Sequence, residues 1–123
     1  VALKNPGRYA SVSAFSPIVA PSQVPWGHNA FSKYLGPNRD HWKEWDATEL
    51  IADAPERLPI LVDQGAADGF LDEQLRPHLL QQACQKAGHP IELNLRAGYD
   101  HSFYFVSTFA ADHVTFHATA LGA

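Results

Sequence analysis

Much of what would narrow the function of this 123-residue chain is missing from it. It has one cysteine, Cys84, so neither an internal disulfide nor a multi-cysteine zinc site can form, and a reducing compartment suits it. Nine basic side chains stand against thirteen acidic ones, for a formal charge of −4, and no basic run occurs. Nucleic acid and anionic membrane surfaces are held by clustered Lys and Arg, so neither is expected as a partner. No apolar stretch approaches the ~18 to 20 residues of a membrane-spanning helix. No signal-peptide pattern, internal repeat or glycine-rich phosphate loop is present. Seven serines occur (Ser11, Ser13, Ser16, Ser22, Ser32, Ser102, Ser107), and none lies in a Gly-x-Ser-x-Gly elbow.

What is present is globular in composition, 46% hydrophobic and 18% charged, and short enough for one domain. Residues 11–16 form a strand candidate closed by Pro17, and residues 17–27, with three prolines and a glycine, read as a loop. Ala30-Phe31 and Tyr34-Leu35 have helical spacing, stopped by Gly36-Pro37. Asp46-Ala47-Thr48-Glu49 is a capping box opening a short helix that Pro55 ends. Leu58 to Val62 is a continuous apolar run, as a strand buried on both faces would be. Glu73 to Ala87 carries one apolar stripe (Leu75, Leu79, Leu80, Ala83, Cys84, Ala87) and stops at Gly88. Residues 91–95 alternate as a strand, and residues 102–121 read as a helix with Phe105, Phe109, Val114 and Phe116 among its apolar positions.

Strands alternating with helices imply an α/β fold with parallel strands. Three strands make a thin sheet with two open edges, so the expectation is an incomplete sheet, part of a larger α/β domain. The opening segment fits this: Lys4 suits the last turn of a helix, and Asn5-Pro6-Gly7 would stop it.

In open α/β sheets, reactive groups gather beyond the C-terminal ends of the strands. Two loops take that position here. The first, after the 58–62 strand, holds Asp68; the second, after the 91–95 strand, holds His101. An acid on one strand-end loop and a histidine on the next follow the chain order of the Ser-Asp-His relay of α/β-hydrolases. A histidine acting as general base needs its far ring nitrogen held by a carboxylate, which fixes the tautomer and steadies the imidazolium. Gly65 and Gly69 would let the acid loop turn, and Gly98 the histidine loop. Asp63 and Asp100 are competing acids, the first expected to point inward and the second badly placed beside His101. His113 and His117 have the i, i+4 spacing of a metal pair, but a half-exposed helix face explains them better. Cys84 lies on an apolar stripe, where thiols are usually inert. Trp26, Trp42 and Trp45 would line a pocket or pack.

The sequence resembles the S-formylglutathione hydrolase (esterase D) family over essentially its whole length. The resemblance rests on Leu3-Lys4-Asn5-Pro6, Ser11 to Pro17, Pro25-Trp26-Gly27, Ala30-Phe31-Ser32 with Tyr34-Leu35-Gly36, and Trp45-Asp46-Ala47-Thr48. It continues through Asp63-Gln64-Gly65, Asp68 with Phe70-Leu71, and the run from Gly98 to Phe105. It implies the C-terminal segment of an α/β-hydrolase domain, spanning residues 1–123, with the elbow-bearing N-terminal half lying before Val1. It further implies hydrolysis of S-formylglutathione to formate and glutathione, with simple esters as additional substrates. No cofactor is implied; the location would be cytoplasmic and the assembly a homodimer. Asp68 takes the acid position and His101 the base position, and Trp26 matches a residue near the acyl pocket. On this reading the 123-residue chain alone is inactive. Two rivals make different demands: a non-catalytic α/β scaffold would leave Asp68 and His101 too far apart to bond, and a metal-binding domain would use His113 and His117.

Overall fold

The computed structural model describes residues 1–122. Three parallel strands, β1 (Val12–Phe15), β2 (Ile60–Gly65) and β3 (Ile91–Arg96), form one sheet in the order β1-β2-β3. Phe15, Asp63 and Asn94 stand level across it, and β2 and β3 continue together to Gly65 and Arg96. The C-terminal ends therefore open on one side of the molecule. The helices are α1 (Pro25–Tyr34), α2 (Arg39–Trp42), α3 (Ala47–Leu50), α4 (His78–Ala87) and α5 (Phe103–Ala120).

Every residue of β2 is buried, as a middle strand covered on both faces must be. On one face Ile60 and Val62 meet Val19, Ala20, Ile51, Leu80 and Cys84, which brings α4 and the turn after α3 onto the sheet. Each buried Val, Ile or Leu among them contributes roughly 1.5–3 kcal/mol by leaving water. On the other face lies α5, with Phe105 wholly buried and its ring 5.8 Å from that of Phe15.

Asp46 caps α3 as its sequence position implies, and it does more. Wholly buried, it accepts from the amide and hydroxyl of Thr48 and from the amide and hydroxyl of Ser22, tying the loop after β1 to the helix.

The structure corrects several sequence expectations. The loop at 17–27 ends early, because Pro25 starts α1 at the first helical position, where its missing N–H costs nothing. The apolar-run strand is displaced to Ile60–Gly65. Its polar end, Asp63-Gln64-Gly65, belongs to the sheet because its polar side chains are satisfied inside the protein and not by solvent, Asp63 by Arg96 and His113 and Gln64 by Asp68. The amphipathic stripe from Leu75 is real, but one helix does not carry it. Pro77 cannot donate to the helical ladder and clashes with the turn before it. The chain instead makes a π-helical turn (Leu71–Leu75), passes through a left-handed Arg76 (φ +43°), and starts α4 afresh at His78. In α5 the buried stripe is Phe105 and His113, whereas Val114 faces outward.

Candidate active site

The acid loop is built by the chain around Gly65 and Asp68. A side chain at Gly65 would stand 2.3 Å from the carbonyl oxygen of Tyr99, so only glycine lets the two strand-end loops lie this close. The loops are then laced together: the Ala66 N–H donates to the Arg96 carbonyl and the Ala67 N–H to the Tyr99 carbonyl, both at 2.9 Å. Gly65 thus serves by close approach and not by turning, and Gly69 shows neither a positive φ nor a crowded Cβ position. Gly98, at φ +79°, does turn the histidine loop. Ser102 then caps α5 through the Phe105 N–H.

This lacing brings Asp68 and His101 together. His101 Nδ1 lies 2.8 Å from Asp68 Oδ2. The same oxygen accepts from Gln64 Nε2 at 3.1 Å, and Oδ1 accepts from the Phe70 N–H at 2.8 Å. The carboxylate side chain is fully enclosed, whereas that of His101 is 45% exposed. A carboxylate acceptor at Nδ1 assigns the ring proton to that nitrogen, leaving Nε2 free to take a proton from outside. An enclosed carboxyl group held by directed donors cannot swing away, so the imidazole is held in one orientation.

Gln64, wholly buried at the end of β2, is a site residue that the sequence reading missed. The available signal was its place beside Asp63 in a strand that was expected to end at Val62. Trp26 is at the site's margin. Its ring packs on Phe70 (centroids 4.7 Å apart), Phe70 meets His101 edge-on at 5.6 Å, and the Trp26 N–H donates to buried Gln74. The remaining tryptophans lie elsewhere. Trp42 is buried and donates to the Gly36 carbonyl, and Trp45 carries the Lys4 ammonium over its ring.

A cleft of about 400 Å³ runs from His101 to the end of β1, lined by Phe15, Ser16, Ser102, Phe103, Phe105 and Val106. Among the described residues no serine hydroxyl bonds to His101. Ser11 and Ser13 bond His117, Ser22 bonds Asp46, and Ser16 Oγ is buried without a partner.

The competing acids are placed by the same geometry. Asp63 is wholly buried beneath α5, holding Arg96 Nε at 2.6 Å and His113 Nε2 at 2.7 Å, and Asp100 is exposed. The expectation of a half-exposed face for His113 and His117 fails for His113, which is buried. Both rings face the sheet, because the strands offer them hydrogen-bond partners. Among the described residues no group of three or more His, Cys, Asp or Glu side chains is placed to hold a metal. No helix there is long and apolar enough to cross a membrane. Cys84 is buried with no exposure, and desolvation pushes its thiol pKa up to about 11.

A parallel α/β sheet with an acid and a histidine on successive strand-end loops defines an α/β-hydrolase-type segment. The family model described as "Putative esterase" matches residues 1–116, and the chain belongs to that esterase family. Among solved structures it is similar to an S-formylglutathione hydrolase from Agrobacterium tumefaciens, with 47% sequence identity and a TM-score of 0.92. That match covers 98% of this chain and 43% of the bacterial one, so the chain spans less than half the length of its relative.

Proposed function

We propose that this chain is the C-terminal part of a single α/β-hydrolase domain and supplies the acid, Asp68, and the base, His101, of a serine esterase. The substrate class is small thioesters and esters, with S-formylglutathione favoured by the likeness to the Agrobacterium enzyme and by the sequence motifs. A cytoplasmic place in formaldehyde detoxification and a homodimeric assembly belong to the same proposal. The observation that carries it is the 2.8 Å contact between His101 Nδ1 and a fully enclosed carboxylate. A scaffold that had no use for the pair would need neither the contact nor the donors that hold Asp68.

The mechanism follows from which nitrogen is free. His101 Nε2 takes the proton of a serine hydroxyl from the N-terminal half as its oxygen attacks the acyl carbon. Asp68 stabilises the imidazolium that forms. The imidazolium returns the proton to the departing thiolate or alkoxide, leaving an acyl-serine. Water, deprotonated by the same nitrogen, releases the acid. The half-exposed ring and the cleft toward β1 leave room for that serine, and Trp26 with Phe70 would form one wall of the acyl pocket.

The test compares the 123-residue chain with the full-length protein on an activated aryl acetate and on S-formylglutathione. The expected results are turnover by the full-length protein, none by the chain alone, and loss of at least ~10³-fold in His101→Ala. Turnover by the isolated chain, or a His101→Ala protein within tenfold of wild type, would overturn the reading.

A further inference from the structure

His101 stands immediately before α5, so the position of its ring depends on how that helix is seated. Apolar contacts such as those of Phe105 hold a helix against a sheet without fixing its rotation or slide, since burial has no direction. Two imidazoles on the inward face of α5, one turn apart, supply the direction. His113 Nε2 meets Asp63 Oδ2 on β2 at 2.7 Å. His117 is held at both nitrogens, Nδ1 by Ser11 Oγ at 2.7 Å and Nε2 by Ser13 Oγ at 2.8 Å, which pins the helix to β1.

The first of these bonds bears on the site. Asp63 lies in β2, which contains Gln64 and leads into the loop of Asp68, and its other oxygen takes Arg96 of β3, the strand that leads to His101. One buried carboxylate therefore ties together the acid's strand, the base's strand and the helix that follows the base. The His113 side chain is only 6% exposed, and its ring stacks on Phe15 at 3.8 Å. Its Nδ1 is buried with no partner, which assigns the proton to Nε2, because a bare acceptor is tolerated there better than an N–H with nothing to receive it.

We propose that Asp63 and His113 are positioning residues: their bond fixes the seating of α5 on the sheet and so holds His101 against Asp68. This rests on the esterase reading above for its kinetic arm, and not for its spectroscopic one.

The experiment uses the full-length protein and the variants His113→Leu and His113→Gln, the latter keeping an amide donor near the Nε2 position. Three quantities are read: kcat per active site titrated with a fluorophosphonate, KM, and the low-field proton resonance of the His101 Nδ1–H. In His113→Leu we expect kcat per titrated site to fall ~10- to 100-fold, the scale of a 1 Å misplacement, with KM within about twofold. The resonance should broaden or vanish, and His113→Gln should restore both readouts to within about threefold of wild type. If His113→Leu does not fold, His113→Asn, whose amide is too short to reach Asp63, serves in its place with the same expectation. A lowered melting temperature with kcat per site and the resonance unchanged would overturn the proposal, since a merely structural residue behaves that way. A wild-type protein that neither turns over substrate nor takes the label would refute the esterase reading instead, and the resonance alone would then decide the positioning role.

Discussion

Replacing Asp68 by Asn in the full-length protein isolates the charge and acceptor capacity of one oxygen while nearly preserving shape. In the native site Oδ2 faces two donors, His101 Nδ1 and Gln64 Nε2, and Oδ1 faces one, the Phe70 N–H. If the new amide keeps its oxygen toward Phe70, its NH₂ opposes both His101 Nδ1–H and the Gln64 amide. If it turns over, the NH₂ opposes the Phe70 N–H. Either way a donor is left unsatisfied in a fully enclosed position, at a cost of ~1–3 kcal/mol of stability. The cheaper escape is for His101 to move its proton to Nε2 and accept from the amide, and then the nitrogen that should receive the serine proton already carries one. Wrong-tautomer histidine in a triad lowers turnover by about 10⁴, equivalent to ~5 kcal/mol of barrier. We therefore expect kcat for an aryl acetate to fall by 10³ to 10⁴ while the melting temperature drops only a few degrees. Nitrogen-15 chemical shifts of the His101 ring should report the Nδ1–H form in wild type and the Nε2–H form in the variant. A folded Asp68→Asn protein turning over within tenfold of wild type would refute both the tautomer argument and the assignment of Asp68.

Three further outcomes follow from other parts of the structure. Gly65→Ala should destabilise by ~2 kcal/mol or more and reduce turnover, since the added methyl meets backbone at 2.3 Å and forces the two loops apart; denaturant titration together with kcat checks it. Arg76→Gly should stabilise by ~0.5–1 kcal/mol, because a residue with a Cβ is held at φ +43° there; an unchanged or lowered urea midpoint would contradict this. Burial raises the Cys84 thiol from 9.0 to about 11, so unfolded chains ionise first as pH rises. The stabilisation is fully present below pH 9 and is lost between pH 9 and 11, by at most ~3 kcal/mol. Over that window urea titrations should show wild type losing more stability than Cys84→Ala, and native Cys84 should resist a thiol reagent at pH 8.

The sequence made the α/β order legible because each element carried its own period or punctuation: an apolar run for β2, alternation for β3, an Asp46 cap for α3. The pairing of Asp68 with His101, the proposed acid and base, was legible for a different reason, since strand-end loops are where such a sheet exposes chemistry. Interruptions within a pattern were not read. The stripe from Leu75 to Ala87 keeps its spacing across Pro77, and periodicity alone does not register a backbone that must restart. Gln64 was missed because a polar side chain after an apolar run looks like the end of a strand, when here the strand continues so that its amide can reach Asp68. His113 was misjudged because a helix interior polar residue is satisfied by whatever strand lies beneath it, and that partner is 50 residues away.

Among the described residues two carboxylate–imidazole pairs stand at nearly equal length, 2.7 Å for Asp63–His113 and 2.8 Å for Asp68–His101. Distance does not distinguish a candidate base from a structural tie. Exposure does: 45% for the His101 side chain against 6% for that of His113, with both acids enclosed. Chain geometry decides which pair receives which fate. Asp63 is still within β2, where its side chain must point to one face of the sheet, and that face is covered by α5. Asp68 lies beyond the last ladder residue, free to turn toward the rim where the next loop brings His101. An acid five residues earlier, still within the strand, is thus committed to holding a helix, and the one in the loop beyond is available to orient a proton acceptor. A helix tie placed at Asp68 would have its imidazole half in solvent, and a base placed opposite Asp63 would be sealed from any substrate.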